Sequence, residues 1–412
     1  MSECEEKNQC LGLRIGSGTF GVVYELSQDP QRCAVKVYNK PINTSPHATM
    51  VREWAVLSAM RGRFGVLPSY SFSMRKQYRM AMPRGLALWP HTLRRVCFEQ
   101  RLKRKDDEQN EKESLLKSVQ NCAFDLFTQL LGSLYLAGVE HRDVKPCNVV
   151  AMSTSVCANN GARRQLSAPK DDEDCTNWSF HLIDYGAAKR ASCYPTNFVT
   201  THIYRAPEKL AFQNLISEPQ NFPTLPSEML MPRFKENGMA CEPFMKMRWS
   251  ERVDVWAMGI LLYEFATGHH YIPAKIWEID EDDMEKENTE KKILQYHIQS
   301  QNKWRKQISA IFPDCKMRDS FINLLSRCLT IEPENRASLH ECWQHEFVQQ
   351  AAENSTRRLL LAQKLVVCFF KRPQSSFIRF KTVTPTLERI ETMKYLFTVG
   401  CDAKFRCQTV SG

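Results

Sequence analysis

The sequence lacks both the cysteine spacing of a structural zinc site and the long apolar run of a membrane span. Its 412 residues include 16 cysteines, but no two of them stand in a CxxC pair, so the paired spacing that closes a tetrahedral zinc site is missing. No run approaches the roughly 18 apolar residues that a bilayer requires. The first ten residues, MSECEEKNQC, have no apolar core of the signal-peptide kind. We therefore expect an intracellular protein, cytoplasmic and/or nuclear, whose cysteines are free thiols.

The sequence also shows no internal repeat and no extreme of charge. Lys and Arg total 56 against 46 Asp and Glu, a net charge of +10. This mild basic bias favours acidic ligands such as phosphates but gives no direct evidence for nucleic acid. Hydrophobic residues make up 43% and charged residues 25%, as in ordinary globular proteins, and the length fits roughly two or three folding units.

The residue pattern changes after about eighty residues. Residues 11–38 alternate between apolar and polar positions around glycines, which predicts antiparallel strands. Residues 51–60 have helical spacing, and residues 63–83 return to short strand-like pieces. Farther on, residues 118–134 carry a one-sided apolar stripe, and residues 251–267 are apolar on nearly every face. The sequence predicts an α+β protein with a small antiparallel-sheet lobe containing one helix and a larger, mainly helical lobe.

We place the small lobe at 1–82, the helical lobe at 83–349 and a C-terminal tail at 350–412. Four polar stretches are predicted to be surface insertions in the helical lobe. The tail contains an apolar stretch between Arg357 and Arg372 that is too short to span a membrane. It is either a docking helix for a regulatory partner or membrane surface, or a helix packed on its own domain. The four insertions lie near 101–113, 152–177, 212–247 and 279–292.

A glycine-rich segment, Gly16-Ser-Gly18-Thr-Phe-Gly21, lies between two predicted strands, which argues against a dinucleotide fingerprint. Glycines let a backbone approach phosphates closely, although an ordinary glycine-rich hairpin is an equal alternative. Lys36 stands in the apolar strand that follows, where a cation is costly unless it faces a ligand charge. We interpret Lys36 as a phosphate clamp and Glu53, in the next helix, as its counter-ion.

The most specific pattern is His141-Arg142-Asp143-Val144-Lys145-Pro146-Cys147-Asn148. Downstream, Asp184 ends a short apolar stretch and is followed by Tyr185 and Gly186. A carboxylate that faces a phosphate clamp needs a divalent cation between itself and the phosphates, because the bare anions repel. Asn148 and Asp184 are therefore predicted to bind Mg²⁺.

In this order the motifs resemble the eukaryotic protein kinase superfamily, from about Leu11 to Phe347. Ala206-Pro207-Glu208, Asp254 and Arg336 continue the resemblance. It implies a bilobal protein kinase fold that transfers the γ-phosphate of ATP, with Mg²⁺, to serine or threonine hydroxyls of protein substrates. It further implies a buried ion pair between Glu208 and Arg336, and Asp254 as an anchor of the catalytic loop.

The resemblance also implies the role of each site residue. Asp143 accepts or orients the proton of the substrate hydroxyl, and Lys145 neutralises charge on the transferred phosphoryl group and is typical of serine/threonine specificity. Lys36 and Glu53 complete the catalytic set. The implied ATP-binding residues are Ile15, Gly16, Gly18, Gly21, Val23, Ala34, Lys36, Met80, Met82 and Val150.

The segment from Asp184 to Glu208 resembles an activation loop. Its end, with Arg205 before Ala206, is similar to the group of cyclin-dependent and mitogen-activated kinases. That similarity implies Thr196 as a phosphorylation site with Arg142 as phosphate partner, against the alternative of an ordinary loop threonine. It also implies that Thr201 bonds to the catalytic aspartate and lysine.

One residue departs from the family pattern, because Tyr185 stands where phenylalanine is usual. A buried hydroxyl there must find a partner or reach solvent.

A nucleotide-binding pseudokinase scaffold is the alternative function, and a kinase of small molecules would not be expected to carry the Glu208 and Arg336 motifs. The enzyme is favoured because the full set is present: Lys36, Glu53, Asp143, Asn148 and Asp184.

Overall fold

The computed structural model divides into two compact units, Met1–Val367 and Cys368–Gly412. Only the first four residues of the second unit are described. The predicted phosphorylation site Thr196 and the predicted insertion at 212–247 lie outside the described residues, as does most of the one at 279–292. The structure describes residues 11–18, 21–30, 33–38, 46–60, 63–67, 69, 71–73, 79–156, 164–169, 174–190, 201–211, 251–277, 289–300, 302–313 and 315–371.

The N-terminal part of the first unit is an antiparallel sheet with one helix, α1 (Pro46–Met60). Its strand order is β1-β2-β3-β5-β4. The central strand β3 is buried at every position, whereas β1 is largely exposed. Because side chains alternate along a strand, Cys33, Val35 and Val37 form an apolar cluster on one face, and Lys36 lies on the other. The strands are β1 (Leu11–Gly18), β2 (Gly21–Leu26), β3 (Cys33–Tyr38), β4 (Ser71–Ser73) and β5 (Arg79–Pro83).

The rest of the unit is mainly helical. Helix α3 begins after the capping side chain of Asp107, ends at Gly138 in the left-handed conformation, and is buried through most of its length. Helix α4 is buried at almost every position, as its apolar sequence predicts. The helices are α2 (Thr92–Arg104), α3 (Glu108–Ala137), α4 (Arg252–Thr267), α5 (Ala274–Trp277), α6 (Thr289–Gln299), α7 (Lys303–Ile311), α8 (Arg318–Cys328), α9 (Leu339–Trp343), α10 (Glu346–Glu353) and α11 (Thr356–Lys371).

Short strands outside the N-terminal sheet bring two loops together. In the sheet β10-β8-β6, Val149 at the start of β8 pairs with Leu182 at the end of β10. The loop before β8 and the loop after β10 therefore meet, and Ile183 N donates to Asn148 O over 2.8 Å. The strands are β6 (Leu86–Ala87), β7 (Val139–Glu140), β8 (Val149–Val156), β9 (Arg164–Ser167), β10 (Ser179–Leu182) and β11 (Lys189–Arg190).

The predicted α+β fold with an antiparallel-sheet lobe and a mainly helical lobe is confirmed. The predicted helix at 51–60 is α1, which begins five residues earlier, at Pro46. No described helix is both long and apolar enough to cross a membrane. The described cysteines are free thiols, as expected: Cys33, Cys97, Cys122, Cys147, Cys175, Cys315, Cys328 and Cys342.

Two of the predicted surface insertions are more regular than expected. Residues 101–113 are the end of α2 and the start of α3, with only residues 105–107 between them. They are polar because these helix ends are mostly exposed and joined by an ion pair of 2.8 Å between Arg101 and Glu111. Residues 152–177 contain the hairpin of β8 and β9 and then the fully buried Cys175. The pattern of polar residues missed both the hairpin and its core contact.

The predicted boundary between domain and tail falls inside α10 (Glu346–Glu353). Beyond it, Arg358 of α11 is buried and donates to both carboxylate oxygens of Asp125 on α3, over 3.1 and 3.0 Å. It also donates to Trp178 O over 2.8 Å. These contacts favour a helix packed on its own domain over a docking helix, at least for the first turns of α11.

Candidate active site

A buried lysine joins the sheet, α1 and the loop after β10. Lys36 Nζ lies 2.7 Å from Glu53 Oε2 and 2.8 Å from Asp184 Oδ1. Lys36 is 6% exposed and Glu53 is 1% exposed, so both charges are almost completely removed from water. The counter-ion predicted from the sequence is thus in contact with the lysine, and the structure adds Asp184 as its second partner.

Mutual attraction outweighs the effect of burial at Lys36 and Asp184, whereas at Glu53 burial raises the pKa above its ordinary value despite the nearby Lys36. Burial alone would lower the pKa of Lys36, but the charges of Glu53 and Asp184 hold the pKa above its ordinary value. Burial would likewise raise the pKa of Asp184, yet Lys36 holds that pKa below its ordinary value. The ammonium and the Asp184 carboxylate are therefore both charged at neutral pH.

Tyr38 belongs to this cluster, and the sequence analysis did not identify it. Its hydroxyl donates to Glu53 Oε2 over 2.8 Å, and Lys36 Nζ lies 5.1 Å from the centre of its ring. Tyr38 stands two residues after Lys36 on the same strand, so the two side chains share a face. That two-residue spacing was the available signal.

The catalytic-loop motif forms a second polar group before β8. Lys145 Nζ lies 2.9 Å from Asp143 Oδ2 and donates to Thr201 Oγ1 over 2.9 Å. Asn148 Nδ2 donates to Asp143 O and Asp143 Oδ2 over 2.8 and 3.1 Å. Thr201 thus reaches the aspartate through Lys145. Of the two contacts that the resemblance implied for Thr201, the structure shows the one with Lys145.

Helix α4 holds the loop before β8 through the side chain of Asp254. The two carboxylate oxygens of Asp254 accept from His141 N and Arg142 N, over 2.8 and 2.7 Å. Arg142 has φ +69°, in the left-handed region that side chains other than glycine rarely adopt. Asp254 therefore stabilises a strained backbone immediately before Asp143.

The residue after Asp184 is fully buried. Tyr185 lies edge-on to His141, with ring centres 4.7 Å apart. Its hydroxyl does not reach solvent, because it accepts from Gln129 Nε2 over 2.8 Å and lies 3.3 Å from Ser133 Oγ. The hydroxyl that the sequence left without a partner is therefore held by α3.

The predicted ATP-binding residues lie on strands of the N-terminal sheet and, after the connection between β5 and β6, on β8. Ile15, Gly16 and Gly18 are on β1, and Val23 is on β2 opposite Lys36. Ala34 and Met82 pair between β3 and β5, Met80 pairs with Lys36, and Val150 is on β8. The structure shows their places on the strands, and their contacts with a nucleotide stay a prediction.

Two glycines of the predicted phosphate loop serve different needs. A methyl group added at Gly18 would have no described residue within 4 Å, whereas one at Gly21 would lie 2.4 Å from Val37 O. Gly21 is thus required by the close pairing of β2 with β3. Gly18 leaves open space beside the backbone, which fits an approaching phosphate.

The residues present also fit a magnesium ion. Asp184 offers a carboxylate, and Asn148 uses its amide nitrogen on Asp143, so its amide oxygen is the atom that could bind a cation. Carboxylate and amide oxygens are suitable Mg²⁺ ligands. The described residues contain no cluster of three or more His, Cys, Asp or Glu that could hold a metal by themselves, so the remaining ligands would come from phosphates and water.

A bidentate ion pair holds Glu208, the last residue of the predicted activation loop. Arg336 Nη1 and Nη2 each donate to Glu208 over 2.8 Å, and the guanidinium lies 5.1 Å from the ring centre of Trp256 on α4. The pair implied by the resemblance is therefore present. It ties the end of the activation segment to the helical lobe.

This arrangement agrees with a match to a family model. The model, described as protein kinase domain, covers residues 11–221 and 234–348. The chain belongs to the protein kinase family. The prediction of an ATP-binding protein kinase of the serine/threonine type is thereby confirmed.

The curated relatives are mitogen-activated and stress-activated kinases. The chain is 23% identical to mitogen-activated protein kinase pmk-1 of Caenorhabditis elegans, over 81% of this chain and 74% of that protein. It is 22% identical to mitogen-activated protein kinase 12 of Mus musculus, over 81% and 76%. It is 24% identical to stress-activated protein kinase JNK of Drosophila melanogaster, over 54% and 51%. The predicted similarity to the mitogen-activated group is confirmed.

Proposed function

We propose that this kinase transfers the γ-phosphate of ATP to serine or threonine hydroxyls of protein substrates, with Asp143 as the catalytic base and with Lys36, Asn148 and Asp184 holding Mg-ATP. The observation that carries the proposal is the bridge of Lys36 to both Glu53 and Asp184. It places a permanent cation beside the carboxylate that the resemblance assigns to the metal.

Lys36 can bind a phosphate without losing its position. Glu53 fixes the ammonium from α1, and Tyr38 in turn donates to Glu53. Two of the three ammonium hydrogens go to Glu53 and Asp184, so the third is available for a ligand oxygen. Bound Mg²⁺ would neutralise charge between the phosphates and the Asp184 carboxylate. The protein supplies alignment and charge, which are the main requirements of phosphoryl transfer.

Asp143 is suited to receive the proton of an incoming hydroxyl. Its carboxylate is held by Lys145 and Asn148, and the backbone before it is fixed by Asp254. The proton that leaves the substrate oxygen would reside on the Asp143 carboxylate. Lys145, 2.9 Å away, would offset negative charge on the transferred group.

Transfer of labelled γ-phosphate to the protein itself and to a generic basic protein tests this function. We expect Asp143→Asn to lower the rate about a thousandfold while nucleotide still binds, because loss of a general base costs about 10²–10⁴ in rate. Asp319→Asn, an exposed aspartate at the start of α8, is the matched control and should leave the rate unchanged. Nucleotide binding without any phosphate transfer by the wild type would contradict the proposal and favour the pseudokinase scaffold.

We also propose that phosphate on Thr196 regulates the enzyme through Arg142. Arg142 is buried directly before the catalytic aspartate, and a guanidinium is the preferred bidentate partner of a phosphate. Mass spectrometry should find phosphate on Thr196 in active protein, and Thr196→Ala should lower the rate. Full activity with phosphate only at other positions of the segment would reject this role.

A further inference from the structure

A hydrogen-bonded chain within the core fixes the residue next to the proposed metal ligand. Gln129 of α3 is fully buried. Its carboxamide clamps the end of β10, because Nε2 donates to Leu182 O over 2.6 Å and Oε1 accepts from Leu182 N over 3.0 Å. The second hydrogen of the same nitrogen goes to the hydroxyl of Tyr185, at 2.8 Å.

The number of hydrogens on each group decides which hydroxyl donates in this hydrogen-bond network. Ser133 Oγ donates its one hydrogen to Gln129 O over 2.9 Å, so across the 3.3 Å contact the hydrogen must come from Tyr185. Tyr185 therefore accepts from one α3 side chain and donates to another.

Tyr185 is linked to the metal site through one backbone bond. Asp184 has φ +64°, in the left-handed region, so its backbone is strained and depends on its surroundings. On one side its carboxylate is held by Lys36 at 2.8 Å and by Gly186 N at 3.3 Å. On the other side the buried Tyr185 ring prevents the segment from turning over.

We infer that the chain from Gln129 through Tyr185 to Ser133 is a positioning device that holds the Asp184 carboxylate ready for the metal ion of Mg-ATP. The inference rests on the proposed function. With phenylalanine at position 185, the second Gln129 hydrogen would be buried without a partner. With tyrosine, turning the ring out leaves that Gln129 hydrogen without its partner, and one such unsatisfied group disfavours the turned-out state about tenfold. The hydroxyl therefore increases the population of the metal-ready arrangement.

Tyr185→Phe tests the inference, because it removes the hydroxyl and keeps the ring. We expect the backbone amides of residues 182–186 to exchange hydrogen about tenfold faster in metal-free protein. The Mg²⁺ concentration that half-saturates ATP binding, measured by calorimetry, should rise by about the same factor, while the affinity for ATP without Mg²⁺ stays constant.

Tyr263→Phe is the matched control. Tyr263, on α4, is also a buried tyrosine. Its hydroxyl donates to Gln307 Oε1 of α7 over 2.6 Å and takes no part in the network of Gln129, Tyr185 and Ser133. The Tyr263→Phe variant should have a lower melting temperature. Its hydrogen exchange at residues 182–186 and its Mg²⁺ dependence of ATP binding should be unchanged. Ser133→Ala should reproduce part of the Tyr185→Phe effect, because Tyr185 then loses its acceptor.

The outcomes separate this inference from the proposed function. Unchanged exchange and unchanged Mg²⁺ dependence in Tyr185→Phe would overturn the inference, as would equal changes in Tyr263→Phe. Both readouts are made without phosphate transfer. A wild type that binds Mg-ATP but transfers no phosphate would therefore refute the proposed function alone.

Discussion

The lysine cluster around Lys36 and the helical lobe both bury ion pairs, but with different cations. In the lysine cluster, Lys36 lies between two carboxylates, Glu53 and Asp184. In the helical lobe, arginines bind one carboxylate each, as Arg336 binds Glu208 and Arg358 binds Asp125. The difference follows from the two head groups, a compact ammonium and a planar fork.

The arginines use their donors inside the protein. Arg336 donates to both oxygens of Glu208 and to the carbonyls of Arg252, Thr330 and Ile331, over 2.8–3.0 Å. Such a set is suited to hold one fixed geometry. Lys36 keeps capacity for a ligand, because its two carboxylate partners use two of its three hydrogens. The contacts of Arg336 therefore suit a stabilising role, and those of Lys36 suit the phosphate-binding role proposed above.

The largest effect should come from breaking the lysine cluster around Lys36. Lys36→Met should lower the rate of phosphate transfer about a thousandfold or more, or about 4 kcal/mol of transition-state stabilisation, because the phosphate clamp is lost. Steady-state phosphate transfer measures it. Lys112→Met, which removes a partly exposed lysine paired with Glu108, should leave the rate within threefold. A Lys36→Met enzyme that also stays within threefold would contradict the assigned role.

Breaking the larger arginine pair should instead affect stability. We expect Arg336→Met to lower the free energy of unfolding by about 3–5 kcal/mol, because Glu208 and several carbonyls lose a buried partner. Denaturant unfolding measures it. Arg327→Met, at an exposed arginine on α8, should change the free energy by less than about 0.5 kcal/mol. The contrast fails if Arg336→Met is as stable as the wild type.

The second arginine pair should give a smaller loss. For Arg358→Ala we expect about 2–3 kcal/mol, measured in the same way. Asp125 keeps the hydrogen bond from Phe180 N, and Arg357 lies 3.9 Å from its Oδ2, so its charge is not left alone. A loss equal to that of Arg336→Met would show that these remaining partners do not compensate.

Two buried histidines give the smallest effect, through pH. Burial lowers the pKa of His181 to about 4 and of His297 to about 3. In the unfolded chain a histidine titrates near 6.5. Between these values the unfolded state binds more protons, so stability is complete above about pH 6.5 and falls as the pH is lowered. From pH 7 to pH 5 each histidine should remove about 2 kcal/mol.

His297→Phe isolates one of these contributions. It should reduce the loss of unfolding free energy between pH 7 and pH 5 by about 2 kcal/mol, because one titrating group disappears. His269→Gln, which changes an exposed histidine, should not alter the slope. Identical pH profiles for His297→Phe and wild type would show that His297 is already protonated or solvated in the native state.

The sequence predicted the parts of the site that are contiguous motifs. Asp143, Lys145 and Asn148 stand within six residues of one another, and their order is too specific to be accidental. Tyr38 and Gln129 were missed because a tyrosine in a strand and a glutamine in a helix carry no motif. Polar composition also failed at residues 101–113, because an exposed helix end and a loop have the same kinds of residues.

By itself the sequence determined the chemistry that the chain can perform, since that depends on which groups are present and in what order. Only the tertiary structure decided which of those groups form hydrogen bonds or ion pairs with one another. Asp184 stands 148 residues from Lys36 along the chain, and Tyr185 is 56 residues from Gln129. Hydrogen bonds act over about 3 Å, a distance that spacing along the chain cannot express. The strand pairing of β8 with β10 and the packing of α3 beneath them supplied it.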